Sequence, residues 1–108
     1  ATSDYNFAFL VKNIGNMVRS GIDQRDAAIV AGARRAIVIV SKKGHLQIES
    51  VSENIEKEFP NATSELLKDL KPEENDVIII AGGETPLKAK QGAFAAGWSL
   101  LDREKKTN

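Results

Sequence analysis

Two short runs of β-branched residues constrain the fold of this chain more than any other feature of its sequence. The first is Ala36–Val40, and the second is Asp76–Ala81, with valine and three isoleucines at its centre. Neither run alternates polar with apolar residues, which is typical of strands that are covered on both faces. A chain of 108 residues can bury about two-thirds of its unfolded surface and is the length of one domain. We therefore expect a single α/β domain over residues 1–108.

The residues before the first run have helical spacing. Within residues 4–20, large apolar residues recur at intervals of three and four, which predicts an amphipathic helix: Phe7, Leu10, Val11, Ile14, Met17 and Val18. Ser20-Gly21 can end this helix, and Asp23 can cap a second helix over Gln24–Ala33. The tight pair is compatible with a helix-turn-helix DNA reader, but the second helix carries few polar side chains that could read base edges. We interpret the pair as an ordinary helical corner.

The middle of the chain predicts a hairpin. A polar turn over Ser41–Gly44 follows the first buried strand, and its glycine suits a positive φ angle. His45–Glu49 then alternates polar and apolar residues, as a half-exposed strand does. Two helices are expected next, at Val51–Phe59 and Thr63–Leu70, and a start of the first helix before Val51 is the alternative.

The second buried run leads into a glycine turn and a helix. Gly82-Gly83 supplies the turn, Thr85 is the natural N-cap, and the helix is expected over Pro86–Arg103. Gly92 and Gly97 each cost roughly 1 kcal/mol relative to alanine inside a helix. We therefore expect either close contact with a neighbouring element at these glycines or a break at Gly92 into two shorter helices.

Two buried strands separated by a helical segment predict a parallel pair joined by a right-handed crossover. The predicted fold is a small, mostly parallel sheet of about three strands flanked by helices, in the order α-α-β-β-α-α-β-α. In such sheets, ligands bind at the carboxyl ends of the strands.

Two loops would then lie side by side at those carboxyl ends. Together they supply positive charge, a hydroxyl, an imidazole and a helix N-terminus: Ser41, Lys42, Lys43 and His45 in one loop, and Gly82, Gly83, Glu84 and Thr85 in the other. A helix N-terminus favours anions through its free N–H groups and its dipole. The leading hypothesis is a ligand-binding domain that holds a phosphorylated or carboxylated small molecule. The glycines match neither a P-loop nor a dinucleotide fingerprint. A turn at Gly82-Gly83 followed by a Thr85-Pro86 helix cap explains these residues fully without a ligand.

The composition excludes several chemistries. The chain has no cysteine, which excludes disulfides and thiolate metal sites. His45 is its single histidine, and no carboxylate cluster beside it indicates a metal site. Catalysis would depend on His45 and Glu84, but no pattern assigns them a reaction, and no cofactor follows from the sequence.

The charge distribution limits the classes of partner. The net charge is zero, whereas nucleic-acid binders usually carry a basic excess. The charge is +4 over residues 1–48 and −4 over residues 49–108, which is compatible with self-association or a charged partner. No apolar run reaches the roughly 18 residues of a membrane helix, and no signal peptide is recognisable, so we expect a cytoplasmic protein.

The alternative hypothesis is a non-catalytic protein-interaction or assembly domain, either a homo-oligomer or a subunit of a larger complex. One stripe of the last predicted helix is large and apolar: Leu87, Phe94, Trp98 and Leu101. Tryptophan and phenylalanine are enriched in the cores of interfaces. Because covering both faces of a sheet would also consume these residues, a homo-oligomer is expected to the extent that they remain exposed.

Overall fold

The computed structural model describes residues 5–48 and 60–107. In chain order, and with a 3₁₀ turn at Gly15–Met17 after the first strand, its elements are β1 (Tyr5–Val11), α1 (Ile22–Val30), β2 (Arg35–Lys42), β3 (His45–Ile48), α2 (Pro60–Leu70), β4 (Val77–Gly83) and α3 (Pro86–Thr107). The helix predicted at Val51–Phe59 lies outside the described residues.

The four strands form one sheet in the order β1-β4-β2-β3, and every neighbouring pair is antiparallel. The prediction of a mostly parallel sheet is therefore wrong. Among the described elements, the strand that precedes α2 is β3 and not β2. A crossover from β3 through α2 makes β3 and β4 parallel, but β2 lies between them and is antiparallel to both.

The N-terminal segment is a strand, so the helix predicted over residues 4–20 and the order α-α-β-β-α-α-β-α are also wrong. β1 runs antiparallel to β4, with Phe9 opposite Ile79. Phe7 and Phe9 pack against the apolar cluster on one face of the sheet, and Leu10 packs against the cluster on the other face. Because β1 contributes to both faces, its apolar residues show no alternation, and the same residues also fit a helical stripe.

Helices cover both faces of the sheet. On one face, α1 and α3 enclose the larger core, in which Ala28, Ala93 and Leu100 are completely buried. On the opposite face, Leu66 and Leu70 of α2 pack against a smaller apolar cluster: Ile39, Leu46 and Ile78. The predicted α1, β2 and α2 segments are confirmed, although their ends differ by a few residues.

The predicted hairpin is confirmed. Lys42 of β2 lies opposite His45 of β3, and the two residues between them have φ angles of 54° and 78°. Positive φ at both central positions is the geometry of a type I′ turn, which matches the twist of the flanking strands. Gly44 adopts the second of these angles, as its sequence position predicts.

Asp76 joins the end of β1 to the start of β4. Its side chain is 1% exposed. Oδ2 accepts hydrogen bonds from Lys12 Nζ and from the Glu73 N–H, and Oδ1 accepts one from the Asn13 N–H, each over 2.8 Å. Burial by itself would raise the pKa of Asp76, but the hydrogen bonds from Lys12, Glu73 and Asn13 outweigh burial and lower that pKa. The ionised carboxylate therefore stabilises this corner of the fold.

Candidate functional site

The two loops of the predicted anion site lie at opposite ends of the β2–β4 pair. The Ser41 N–H donates to the Asp76 carbonyl over 2.9 Å, beside the start of β4. Gly82, near the end of β4, lies opposite Arg35 at the start of β2. Residues 76 and 82 are about 20 Å apart along an extended strand. The predicted juxtaposition required a parallel pair, and the antiparallel pair separates the two loops.

The residues of the first loop have structural contacts. Ser41 is buried, and its carbonyl accepts from the Asn75 N–H over 2.8 Å. The Lys43 N–H donates to Glu74 Oε1 over 2.8 Å, which ties the hairpin turn to the loop before β4. Lys42 and His45 are paired across the hairpin. These contacts show that the loop is a hairpin turn held against the segment before β4. His45 therefore lies at one end of the sheet.

The residues of the second loop connect β4 to α3. Gly82 and Gly83 belong to the strand, so the turn itself is Glu84-Thr85. A Cβ atom on Gly83 would lie 2.9 Å from the Ala89 nitrogen, so the first turn of α3 approaches β4 too closely for a side chain there. The Lys88 N–H donates to Thr85 Oγ1 over 3.1 Å, which confirms the predicted N-cap.

Glu84 places a carboxylate beside the start of α3. Its oxygens lie 2.9 Å from Arg34 Nη2 and 3.5 Å from Lys88 Nζ. A helix N-terminus favours a nearby negative charge, and Glu84 already supplies one. Glu84 and His45 flank opposite ends of the sheet, so they do not form a catalytic pair.

The described residues contain neither a cluster of metal ligands nor a membrane-spanning helix. Within residues 5–48 and 60–107, no three aspartate, glutamate or histidine side chains converge as metal ligands. None of the helices in that part of the chain is long and apolar enough to cross a membrane.

Helix α3 directs three of its large apolar side chains outward, whereas Leu100 and the small side chains face inward. Ala89, Ala93 and Ala96 are completely buried. Leu87 is 62% exposed, Phe94 46% and Trp98 67%. We call these three residues the α3 ridge. The stripe predicted from the sequence is present, but most of it faces away from the sheet.

Strand β1 borders the α3 ridge. The ring of Phe94 stands edge-on to the rings of Phe7 and Phe9, with centroids 5.3 and 5.1 Å away. The ammonium group of Lys90 lies 6.0 and 5.8 Å from the ring centroids of Phe7 and Phe94. The ridge and the strand are therefore one continuous surface, which we call the β1–α3 surface.

β1 is an edge strand of the described sheet, and its composition is unusual for that position. It has seven residues and contains neither a charge nor a proline. Natural edge strands are usually protected against pairing by charges, prolines, bulges or short length. The opposite edge, β3, fits that rule over the described residues, where it is four residues long. β1 does not.

The hydrogen-bond pattern shows which backbone groups of β1 face outward. Ser41 and Asp76 fall opposite one another when the register of the β2–β4 pair is continued by one residue, and the Ser41 N–H donates to the Asp76 carbonyl. The Asp76 carbonyl therefore faces β2. Backbone groups alternate in direction along a strand, so even-numbered residues of β4 face β2 and odd-numbered ones face β1. Odd-numbered residues of β1 pair with odd-numbered residues of β4. The N–H and C=O groups that face away from the sheet therefore belong to Asn6, Ala8 and Leu10.

Comparison with known proteins gives a family but no activity. Residues 2–100 match the family described as Domain of unknown function (DUF4443). The chain belongs to this family. A search of curated proteins finds no match for the chain. The fold of this chain is similar to that of the hypothetical protein PH0730 from Pyrococcus horikoshii OT3, with 24% sequence identity and a TM-score of 0.68.

That alignment covers 91% of this chain and 55% of PH0730. The chain therefore spans just over half the length of this structural neighbour. At this level of identity the similarity concerns the fold alone.

Proposed function

We propose that this chain is an assembly domain that associates with itself through the β1–α3 surface. The observation that carries the proposal is the exposure of Phe94 and Trp98, at 46% and 67%, directly beside an uncharged edge strand. Aromatic residues are enriched, and charged residues depleted, in the cores of protein interfaces. The exposed aromatic side chains of α3 have the first property, and strand β1, which carries no charged residue, has the second.

Two separate contributions favour association there. Burying the exposed part of a large apolar side chain contributes free energy in proportion to its area, at about 25 cal/mol per Å². The outward backbone groups of β1 can in addition form the hydrogen bonds of a new strand pair. The aromatic side chains would supply affinity, and the strand would supply orientation.

The small-molecule hypothesis is less well supported. It depended on Ser41–His45 and Gly82–Thr85 lying together, and the antiparallel sheet separates them. The carboxylate of Glu84 further lowers the attraction of the α3 N-terminus for an external anion. The assembly function requires neither loop.

The test is the mass of the protein in solution by sedimentation equilibrium. We expect the wild-type chain to exceed its monomer mass of 11.7 kDa and to dissociate on dilution. Trp98→Ser should shift the mass toward the monomer. Val30→Ser is the matched control, because Val30 is 88% exposed but lies on α1, outside the surface.

Far-UV circular dichroism of both variants checks that each retains the fold. A wild-type chain that remains monomeric at every concentration up to the millimolar range would overturn the proposal. So would equal loss of mass in Trp98→Ser and Val30→Ser.

A further inference from the structure

We infer that the partner is a second copy of this chain, joined β1 to β1 in antiparallel register about a twofold axis at Ala8. The two four-stranded sheets then form one sheet of eight strands. This inference rests on the proposed function and specifies the geometry of the association.

The outward edge of β1 is complementary to itself. A twofold axis perpendicular to the sheet makes two copies of one edge strand antiparallel. With the axis at Ala8, all seven residues of the strand are paired, and Asn6 lies opposite Leu10 of the other copy. Asn6, Ala8 and Leu10 then exchange their outward N–H and C=O groups in hydrogen-bonded pairs. No charged side chain of the strand meets its own copy, because the strand has none.

The same register joins the aromatic side chains on the α3 side of the sheet. Phe7 lies opposite Phe9 of the other copy, in a pair without mutual hydrogen bonds, where side chains approach most closely. Each of these rings already contacts Phe94 of its own chain. Two aromatic clusters therefore merge into one across the axis.

Helix α3 has a matching symmetry. Lys90, Phe94, Trp98 and Asp102 are spaced by four residues and follow one side of the helix. When two copies of α3 run antiparallel about a twofold axis midway between Phe94 and Trp98, Phe94 of each copy lies opposite Trp98 of the other. The same axis places Lys90 of each copy opposite Asp102 of the other, so unlike charges meet at both ends of the contact.

One axis can serve both the strand and the helix. Phe94 lies over Phe7 and Phe9, and a Cβ atom on Gly97 would lie 2.6 Å from Phe9 Cζ and 3.7 Å from Ile79 Cδ1. The middle of the row formed by Lys90, Phe94, Trp98 and Asp102 therefore lies at the level of Ala8. α3 packs across β1 and β4, and strands are about 4.8 Å apart. Two symmetry-related helices would be separated by about 10 Å, a distance typical of packed helices.

Engineered cysteines test the register, because the chain has none of its own. In Ala8→Cys, the two cysteines of a dimer have Cα atoms about 5.5 Å apart, within the range that a disulfide spans. Mild oxidation should convert this variant to a covalent dimer. Tyr5→Cys is the control in the same strand, since its two copies would lie about 20 Å apart and should not link.

A mixture of two single-cysteine variants tests the register independently and leaves Ala8 unchanged. Asn6→Cys and Leu10→Cys should each fail to link alone, because each is about 13 Å from its own copy. Mixed together, dissociated and reassociated, they should form a disulfide between the two variants. Linking of Tyr5→Cys alone, or of Asn6→Cys alone, would indicate a different register and overturn the inference.

Charge reversal tests the helical contact. Lys90→Glu and Asp102→Lys should each weaken association about tenfold, and the double variant should recover most of the loss. A double variant no stronger than either single variant would overturn the proposed antiparallel helix pair.

The outcomes separate this inference from the proposed function. A wild-type chain that self-associates while Ala8→Cys and the Asn6→Cys and Leu10→Cys mixture stay unlinked contradicts the register only. A wild-type chain that is strictly monomeric contradicts both.

Discussion

Gly92 of α3 approaches Ala33 so closely that a Cβ atom on Gly92 would lie 2.5 Å from the Cβ of Ala33. The same atom would lie 3.2 Å from the Ala28 carbonyl oxygen, so backbone as well as side chain limits the space. α3 is continuous from Pro86 to Thr107. Close packing against the end of α1, rather than a break in the helix, therefore explains the glycine.

Gly92→Ala should destabilise the domain. Alanine is about 1 kcal/mol more favourable than glycine within a helix, but overpacking a filled core costs about 1–3 kcal/mol. We expect overpacking to prevail, because the obstructing atoms belong to Ala33 and the Ala28 backbone and cannot rotate away. Urea denaturation should show a lower midpoint at an unchanged slope.

Ala33→Gly provides the matched control for that prediction. Removing the Ala33 methyl group creates room for the new one, so the double variant should be more stable than the sum of the two single effects predicts. Strict additivity of the two substitutions would show that the Gly92–Ala33 contact does not determine the effect.

The stability of the domain should decrease in acid because of Asp76. The hydrogen bonds from Lys12, Glu73 and Asn13 outweigh burial and lower the pKa of Asp76 in the folded protein. A lowered folded pKa means that this contribution is fully present above the unfolded pKa of about 3.9, and that it is lost as the pH falls through the lower folded value. The free energy of unfolding, measured by urea titration at several pH values, should therefore fall more steeply below pH 4 in the wild type than in Asp76→Asn.

At neutral pH, Asp76→Asn should cost about 1.5–3 kcal/mol, as expected for lost hydrogen bonds to a charged group. Glu73→Gln is the control. Its carboxylate also lies 2.6 Å from Lys12 Nζ, but its side chain is 78% exposed, so its loss should cost less than about 1 kcal/mol. Equal losses from the two substitutions would mean that the burial of Asp76 does not matter.

Thr85→Ala should weaken the start of α3. It removes the hydroxyl oxygen that accepts the Lys88 N–H, and loss of such an N-cap costs about 0.5–2 kcal/mol. Thr85→Ser keeps the hydroxyl and should retain most of the stability in the same denaturation experiment. A Thr85→Ser variant as unstable as Thr85→Ala would indicate that the methyl group, and not the cap, contributes the stability.

The features that the sequence predicted are those with local causes. The turn at Gly44 and the cap at Thr85 depend on backbone angles and on a bond between residues three apart. The β-branched runs of β2 and β4 have few alternatives to a buried strand. Each of these features follows from residues that are close together in the chain.

The features that were not predicted depend on distant residues. Phe7, Leu10 and Val11 fit a helical stripe, and only the packing of both faces of β1 against the rest of the molecule makes this segment a strand. The direction of β4 depends on which strand precedes the crossover, which the apolar runs alone do not show. The predicted anion site required β4 to be parallel to β2. Because the two strands are antiparallel, the two loops of that site lie at opposite ends of the pair.

The α3 ridge was predicted as a stripe but not as an exposed one. A signal was present in the sequence, because Ala89, Ala93 and Ala96 recur at helical spacing and mark a second, small-residue side of α3. A helix that crosses a sheet closely must present its small side to that sheet, as Gly97 does to Phe9. Only the packing shows which of the two sides is buried.

Backbone amide hydrogen exchange, resolved by residue and repeated over a range of protein concentrations, tests the assembly account most directly. The N–H groups of Phe7 and Phe9 face β4 and should be protected at every concentration. Those of Asn6, Ala8 and Leu10 face the edge, and they should be protected at high concentration and exchange rapidly on dilution. Rapid exchange at these three positions at every concentration would contradict self-association through β1.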